Sequence, residues 1–215
     1  RASSIIEENG YKIKIYKECD LNIEFIVGIT VKYFEDQFSM TIIDPTENSV
    51  ANAFRCMKGS LFRAISIFDD ILQIDLGVET DTSSVSSHPV THGMFVKVGY
   101  EDSMGLLKII GSHNPRSKVL VHMIECTVEN AKEILKNSFD ELKMLNLAIV
   151  LTQDEVIYFV LYNPFSGKFL DLAFNLDNVQ DNFIKMTDFI NDRIINLNQY
   201  PLRVNIFEFP MTSRK

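Results

Sequence analysis

Short runs rich in Val, Ile and Phe alternate along this chain with longer stretches whose apolar residues recur every three or four positions. A short run that is apolar on both faces must be buried on both, as strands of a parallel sheet are. A stretch with a single apolar stripe at helical spacing is a helix that packs one side against a core. Strung together as successive β-helix-β units, such segments give one mainly parallel sheet, because the crossovers are right-handed and return each helix to the sheet surface. The expected fold is therefore α/β, a three-layer sandwich with helices on both faces of the sheet.

The runs place strands at Ser39 to Ile43, Ile71 to Leu76, Met94 to Val98, Lys118 to Ile124, Leu147 to Leu151 and Val156 to Tyr162. Leu120, Ile149, Val150 and Phe159 are expected at the centre of the core. One helix follows from Val50, Phe54, Met57, Leu61, Ala64/Ile65 and Phe68, with Asn48 or Ser49 as its cap. A second carries Val128, Ala131, Leu135, Leu142 and Leu145 after the capping residue Thr127, with Glu129 well placed in its first turn. A third runs through Val179, Phe183, Met186, Ile190, Ile194 and Leu197, opens at Asp177 or Asn178 and stops before Pro201. A shorter helix, about Asp102 to Gly111, must end by Asn114-Pro115. The stretch from Ile23 to Phe34 is open between two readings. Ile23, Phe25, Val27, Ile29, Val31 and Tyr33 alternate as in a strand, whereas its length and the preceding Asp20 suit a buried helix. Glu79 to His92, rich in Ser and Thr and without periodicity, reads as an exposed loop beside the carboxyl end of a strand, where open α/β sheets bind ligands.

Composition narrows the function classes. With 46% hydrophobic and 23% charged residues, a chain of 215 residues can bury a sizeable core. A formal charge of −8, with Lys and Arg scattered, argues against a surface that tracks phosphates, so nucleic acid is not an expected partner. No run reaches the ~18 to 20 consecutive apolar residues that a membrane helix needs.

Chemistry-bearing patterns are thin. There is no Gly-x-Gly-x-x-Gly, no phosphate-binding Gly-x-x-x-x-Gly-Lys-Ser/Thr and no Gly-x-Ser-x-Gly elbow, so neither a nucleotide cofactor nor a serine nucleophile is expected. His88 and His92 have the spacing of helical metal ligands, but Pro89 between them breaks the helix that geometry needs, and no metal is expected. His122 reads as a core histidine and His113 as part of a turn. Asp44, Asp69, Asp70 and Lys97 fit an acidic phosphoacceptor cluster only loosely; turn and helix-end roles explain them better. Catalytic residues are thus not expected. Three cysteines, Cys19, Cys56 and Cys126, leave at least one thiol unpaired, and a Cys19–Cys56 bridge is open if the domain is extracellular. No Asn-x-Ser/Thr sequon occurs, which weighs mildly against that compartment.

Three segments carry a family resemblance. Leu202-Arg-Val-Asn-Ile-Phe-Glu-Phe-Pro resembles the opening strand of the ligand-binding domain of the insect ionotropic receptors, divergent chemosensory relatives of ionotropic glutamate receptors. His113-Asn-Pro-Arg-Ser-Lys-Val-Leu-Val is similar to an Asn-Pro-Arg-x-Lys-Phe element ahead of a core strand in their amino-terminal domain. Tyr158-Phe-Val-Leu-Tyr-Asn-Pro-Phe is similar to their aromatic strand that runs into Asn-Pro-Phe. The matching positions are Asn114, Pro115 and Arg116; Asn163, Pro164 and Phe165; and Pro201, Leu202, Arg203 and Val204. The resemblance covers about residues 20 to 210, mostly as pattern, and favours a helix at Ile23 to Phe34.

The resemblance implies a flavodoxin-like sandwich comparable with a single lobe of a periplasmic-binding-protein-like domain. It also implies a fragment of a ligand-gated cation channel subunit at the cell membrane. An N-terminal segment at 1–20 would precede an extracellular amino-terminal domain at 21–199, and 200–215 would be a linker with the first strand of the next domain. The partners implied are co-receptor subunits of the same family in a tetramer, held in the membrane by helices downstream of Lys215. The ligand-gripping residues of that family also lie downstream, so none is assigned here. The alternative class is a free-standing cytosolic α/β module that binds a small molecule or a protein.

Overall fold

The computed structural model describes residues 5–8, 11–14, 21–35, 39–43, 64–68, 92–113 and 117–195. Two strands, β1 (Ile5–Glu8) and β2 (Tyr11–Lys14), pair antiparallel as a separate two-stranded sheet. The main unit follows as α1 (Leu21–Tyr33), β3 (Ser39–Ile43), β4 (Ala64–Phe68), β5 (His92–Gly99) and α2 (Tyr100–His113). It continues through β6 (Lys118–Ile124), α3 (Val128–Leu142), β7 (Leu147–Gln153), β8 (Val156–Asn163), β9 (Lys168–Phe174) and α4 (Val179–Ile195).

Seven strands form one sheet in the order β4-β3-β5-β6-β7-β8-β9. Pairings from β4 to β7 are parallel, and β8 and β9 are added antiparallel. The reversal comes from a tight turn between β7 and β8. Asp154 and Glu155, with φ of 51° and 65°, are its two central residues, and positive φ at both matches the twist of a two-residue hairpin.

Because side chains alternate across a strand, each face of the sheet has its own core. On one face Met40, Ile42, Phe95, Leu120, Val150, Phe159 and Phe174 meet α1 and α4. On the other Ile43, Val96, Val121, Ile149 and Leu151 meet α2 and α3. Leu120, Ile149, Val150 and Phe159 are fully buried, as their sequence context predicts. The α/β three-layer arrangement with a mostly parallel sheet is thereby established.

Helix α1 settles the open stretch. No residue from Ile23 to Phe34 is exposed, and only a narrow stripe at Glu24, Gly28 and Lys32, with Ile23 and Phe25 beside it, is half-buried, so the helix has little polar face. So narrow a polar stripe is why its sequence also fits strand alternation. Helix α3 begins where expected: the Thr127 hydroxyl accepts from the Asn130 N–H, and Gln153 Oε1 accepts from the Val128 N–H. It ends at Lys143, whose left-handed backbone donates its N–H to the Phe139 carbonyl.

Two expectations change. The helix expected from Val50 to Phe68 does not reach its far end, since Ala64–Phe68 is strand β4, paired residue for residue with β3. The spacing of Leu61, Ala64/Ile65 and Phe68 fits a helical stripe, but so short an apolar run also fits a strand, and here pairing with β3 decides. Strand β9 was not anticipated at all. The earlier part of that helix, the strand expected at Ile71 to Leu76, the loop expected at Glu79 to His92 as far as Thr91, and the segment 200–215 lie outside the described residues, while His92 itself opens β5.

Candidate functional site

The buried stripe of α4 runs Phe183, Met186, Ile190 and then, at the next helical step, Arg193. This arginine is 1% exposed and is the largest fully buried side chain in the described structure. Its guanidinium reaches the amino edge of the parallel strands. Nη1 donates to the Leu145 carbonyl at 2.7 Å and to the Tyr162 carbonyl at 3.5 Å, and Nη2 to Asn146 Oδ1 at 3.5 Å. Tyr33, at the end of α1, donates its hydroxyl to the Asn146 carbonyl at 2.9 Å. One charged side chain thus fastens α4 to the start of β7 and the end of β8, and Asn146 extends the link to α1.

The charge sits where water cannot solvate it. Burial pushes the Arg193 guanidinium below its usual range, and the neighbouring Tyr33 hydroxyl partly opposes the shift. No carboxylate among the described residues pairs with it. Lys118, at the start of β6, places its ammonium 4.9 Å from the centre of the Tyr33 ring, a cation–π contact that adds positive charge to the same edge. The cluster holds hydrogen-bond donors and cations but no nucleophile, and an arginine does not exchange protons at ordinary pH. Its chemistry is recognition of acceptors.

The sequence-flagged motif at Asn163, Pro164 and Phe165 lies beside this cluster. Asn163 ends β8 fully buried, and its Oδ1 accepts the N–H groups of Phe165 at 3.0 Å and Ser166 at 3.3 Å, which closes the turn into β9. The Phe165 ring meets Phe139 of α3 edge-on at 6.3 Å. These are turn-forming and packing roles. Asn114, Pro115, Arg116, Pro201, Leu202, Arg203 and Val204 lie outside the described residues, as do His88, Asp44, Asp69, Asp70, Cys19 and Cys56.

At the opposite, carboxyl edge, Ile43 of β3 pairs with Phe68 of β4 on one side and Val96 of β5 on the other. Lys97 and His122 are cross-strand partners on β5 and β6, and the His122 ring is 6.3 Å from Phe95. His92 opens β5 and His113 closes α2. Cys126 is a free buried thiol, pushed up to about 11 by burial. No group of three or more His, Cys, Asp or Glu among the described residues could hold a metal ion.

Arg193 itself escaped the sequence reading, although a signal was present. A cation falls on the i, i+3, i+7, i+10 stripe that begins at Phe183, where only apolar residues belong. Comparison of the chain with protein-family models, curated proteins and solved structures finds no match.

Proposed function

We propose that the chain is an extracellular amino-terminal domain of a chemosensory, ligand-gated cation channel subunit of the ionotropic receptor kind. It acts in subunit assembly or in modulating the ligand response, without catalysis. The observation that carries this reading is the ordered set of three motifs ending in Asn163-Pro-Phe and Pro201-Leu-Arg-Val. The sheet supports it at the level of fold. Numbered from β3, the parallel strands run 2-1-3-4-5, the order of flavodoxin-like sheets, with an antiparallel pair added at one side. A lobe of the periplasmic-binding-protein type is the finer reading that fits this order. Fold alone does not assign activity, so the motifs remain the main support.

The test is expression of the full reading frame that contains this chain, with an epitope inserted between Asp154 and Glu155 at the tip of the β7–β8 hairpin. Antibody staining of unpermeabilised cells, together with co-purification of a second subunit of the same family, is the expected result. Staining only after permeabilisation would overturn the reading.

A second reading, a free-standing cytosolic module that binds a small molecule or a protein, is favoured by one pair of observations. Cys126 is free and buried, and the chain carries no glycosylation sequon. A reading frame that stops after Lys215 would select this alternative.

A further inference from the structure

Three buried donor groups have no acceptor among the described residues: Arg193 Nε and, on the turn that Asn163 closes, Asn163 Nδ2 and Ser166 Oγ. Strand register and the Asn163 turn bring them to the same end of the sheet. The antiparallel register that pairs Ala148 with Leu161 brings Asn146 opposite Asn163 when continued along the strands, and Asn146 already touches Arg193. Asn163 points to the same sheet face as Leu161 and Phe159, the face that α4 covers. Ser166 is bound into the Asn163 turn through its backbone N–H.

Buried donors are almost always satisfied, and a buried charge is almost always compensated. Among the described residues both rules fail at this end of the sheet. We propose that Arg193, Asn163 and Ser166 form an internal receptor for one small monovalent anion, a halide or a small carboxylate. A single negative charge neutralises the guanidinium. The Nε–H, the amide N–H and the hydroxyl supply three donors, whose hydrogen bonds to an anion are charge-assisted. A trapped water would meet the donors but leave the charge uncompensated. The inference does not depend on the channel reading and survives its failure.

The experiment measures the thermal midpoint of the complete 215-residue chain in chloride, bromide, formate and acetate. Ionic strength is held constant with isethionate, a bulky sulfonate. The expected result is a rise that grows with the logarithm of anion concentration above Kd and reaches about 5 °C once the favoured anion exceeds its Kd roughly 100-fold. The halide and carboxylate arms show which class is held. Asn163→Asp tests the site without removing the guanidinium. It keeps the turn acceptor and supplies an internal carboxylate, so its midpoint in isethionate should rise and its response to added anion should disappear. Arg193→Met should also lose the response. Identical midpoints in every anion, or a full response retained by Asn163→Asp, would overturn the proposal.

Discussion

The two faces of the sheet are held by different means. The α2/α3 face is assembled from consecutive units, β5-α2-β6-α3-β7, so short connections hold α2 against its flanking strands β5 and β6 and α3 against β7 and its neighbour β8. Its buried polar residues are Thr41, Ser103 and Ser138, all hydroxyls. The α1/α4 face is covered by helices drawn from far apart in the chain, 21–33 and 179–195, over strands β3 and β5 to β9. It buries Thr30, whose hydroxyl stays within α1, together with Asn163, Asn182 and Arg193. Asn182 and Asn178 both donate to the Ala173 carbonyl on β9, and Arg193 ties the other end of α4 to β7 and β8. Apolar contact is non-directional and lets a helix slide; hydrogen bonds at both ends of α4 do not. Where chain connectivity does not fix a helix, directional polar contacts do.

Deep truncations test whether the faces nevertheless stand or fall together. Phe159→Ala, on the α1/α4 face next to Tyr33 at 5.9 Å between ring centres, should cost about 3–5 kcal/mol. Ile149→Ala, equally buried on the other face of the neighbouring strand, should cost about 2–5 kcal/mol. Urea unfolding followed by far-UV and near-UV circular dichroism should give one coincident transition for each variant. Two transitions after Phe159→Ala, with α2 and α3 still protected from hydrogen exchange, would show the faces to be separable.

A smaller change asks how tightly each helical layer is packed. At Gly93 an added Cβ would lie 2.6 Å from the Phe34 ring, whose position at the end of α1 leaves it little freedom. Gly93→Ala should therefore cost about 1–3 kcal/mol. On the other face, a Cβ at Gly111 would meet Leu142 and the flexible Met144 at 3.3 Å. Alanine there also gains about 0.5–1 kcal/mol of helix propensity, so the net change should stay near zero. Equal losses at the two glycines in chemical denaturation would remove the contrast in packing.

The same asymmetry explains what was legible in the sequence. Strands β5, β6 and β7 and helix α3 read clearly because every level agrees there: apolar runs on the strands, an amphipathic stripe and a capping threonine on the helix. Helix α1 is ambiguous because its half-buried stripe carries only two charges, Glu24 and Lys32, and so shows little helical period. Strand β9 is an edge strand of mixed exposure, so neither a full apolar run nor a strict alternation marked it. The candidate site was hidden for another reason. Arg193 acquires its partners only when residues 33, 145, 146 and 162 come together through the tertiary fold.

Local devices on the α2/α3 face should have modest effects. Thr127→Ala removes the hydroxyl that caps α3 and should cost about 1 kcal/mol, within a range of 0.5–2, while Gln153 still serves the Val128 N–H. At the same helix start, burial raises the Cys126 thiol from 9.0 to about 11. Below pH 9 the thiol is neutral in both folded and unfolded chains and contributes no pH dependence. As pH rises from 9.0 to about 11, only the unfolded thiol ionises, so stability conferred by the neutral form is lost. Cys126→Ser should flatten this part of the stability profile relative to the parent, measured by urea titration across pH 8 to about 11. An identical alkaline slope in both proteins would mean that the thiol is not shielded as described.

The smallest effect tests whether charge on the surface adds to the hold that connectivity already gives the α2/α3 face. Lys132 on α3 lies 2.8 Å from Asp171 on β9 and 2.9 Å from Glu129 one turn earlier. The hydrogen bond to Asp171, then that to Glu129, raises the lysine above its ordinary range, so it stays charged throughout neutral pH. Both carboxylates are solvent-exposed, with side chains 49% and 81% accessible, and water competes for each partner. A double-mutant cycle of Lys132→Ala with Asp171→Ala should therefore return about 0.2–1 kcal/mol, shrinking further in molar salt. Because Lys132 is the only described ion-pair link from α3 to the edge strand, the cycle isolates the electrostatic part of that docking. A coupling well above this range, or one insensitive to salt, would show that β9 depends on α3 for its place at the edge, and that polar fastening operates on both faces of the sheet.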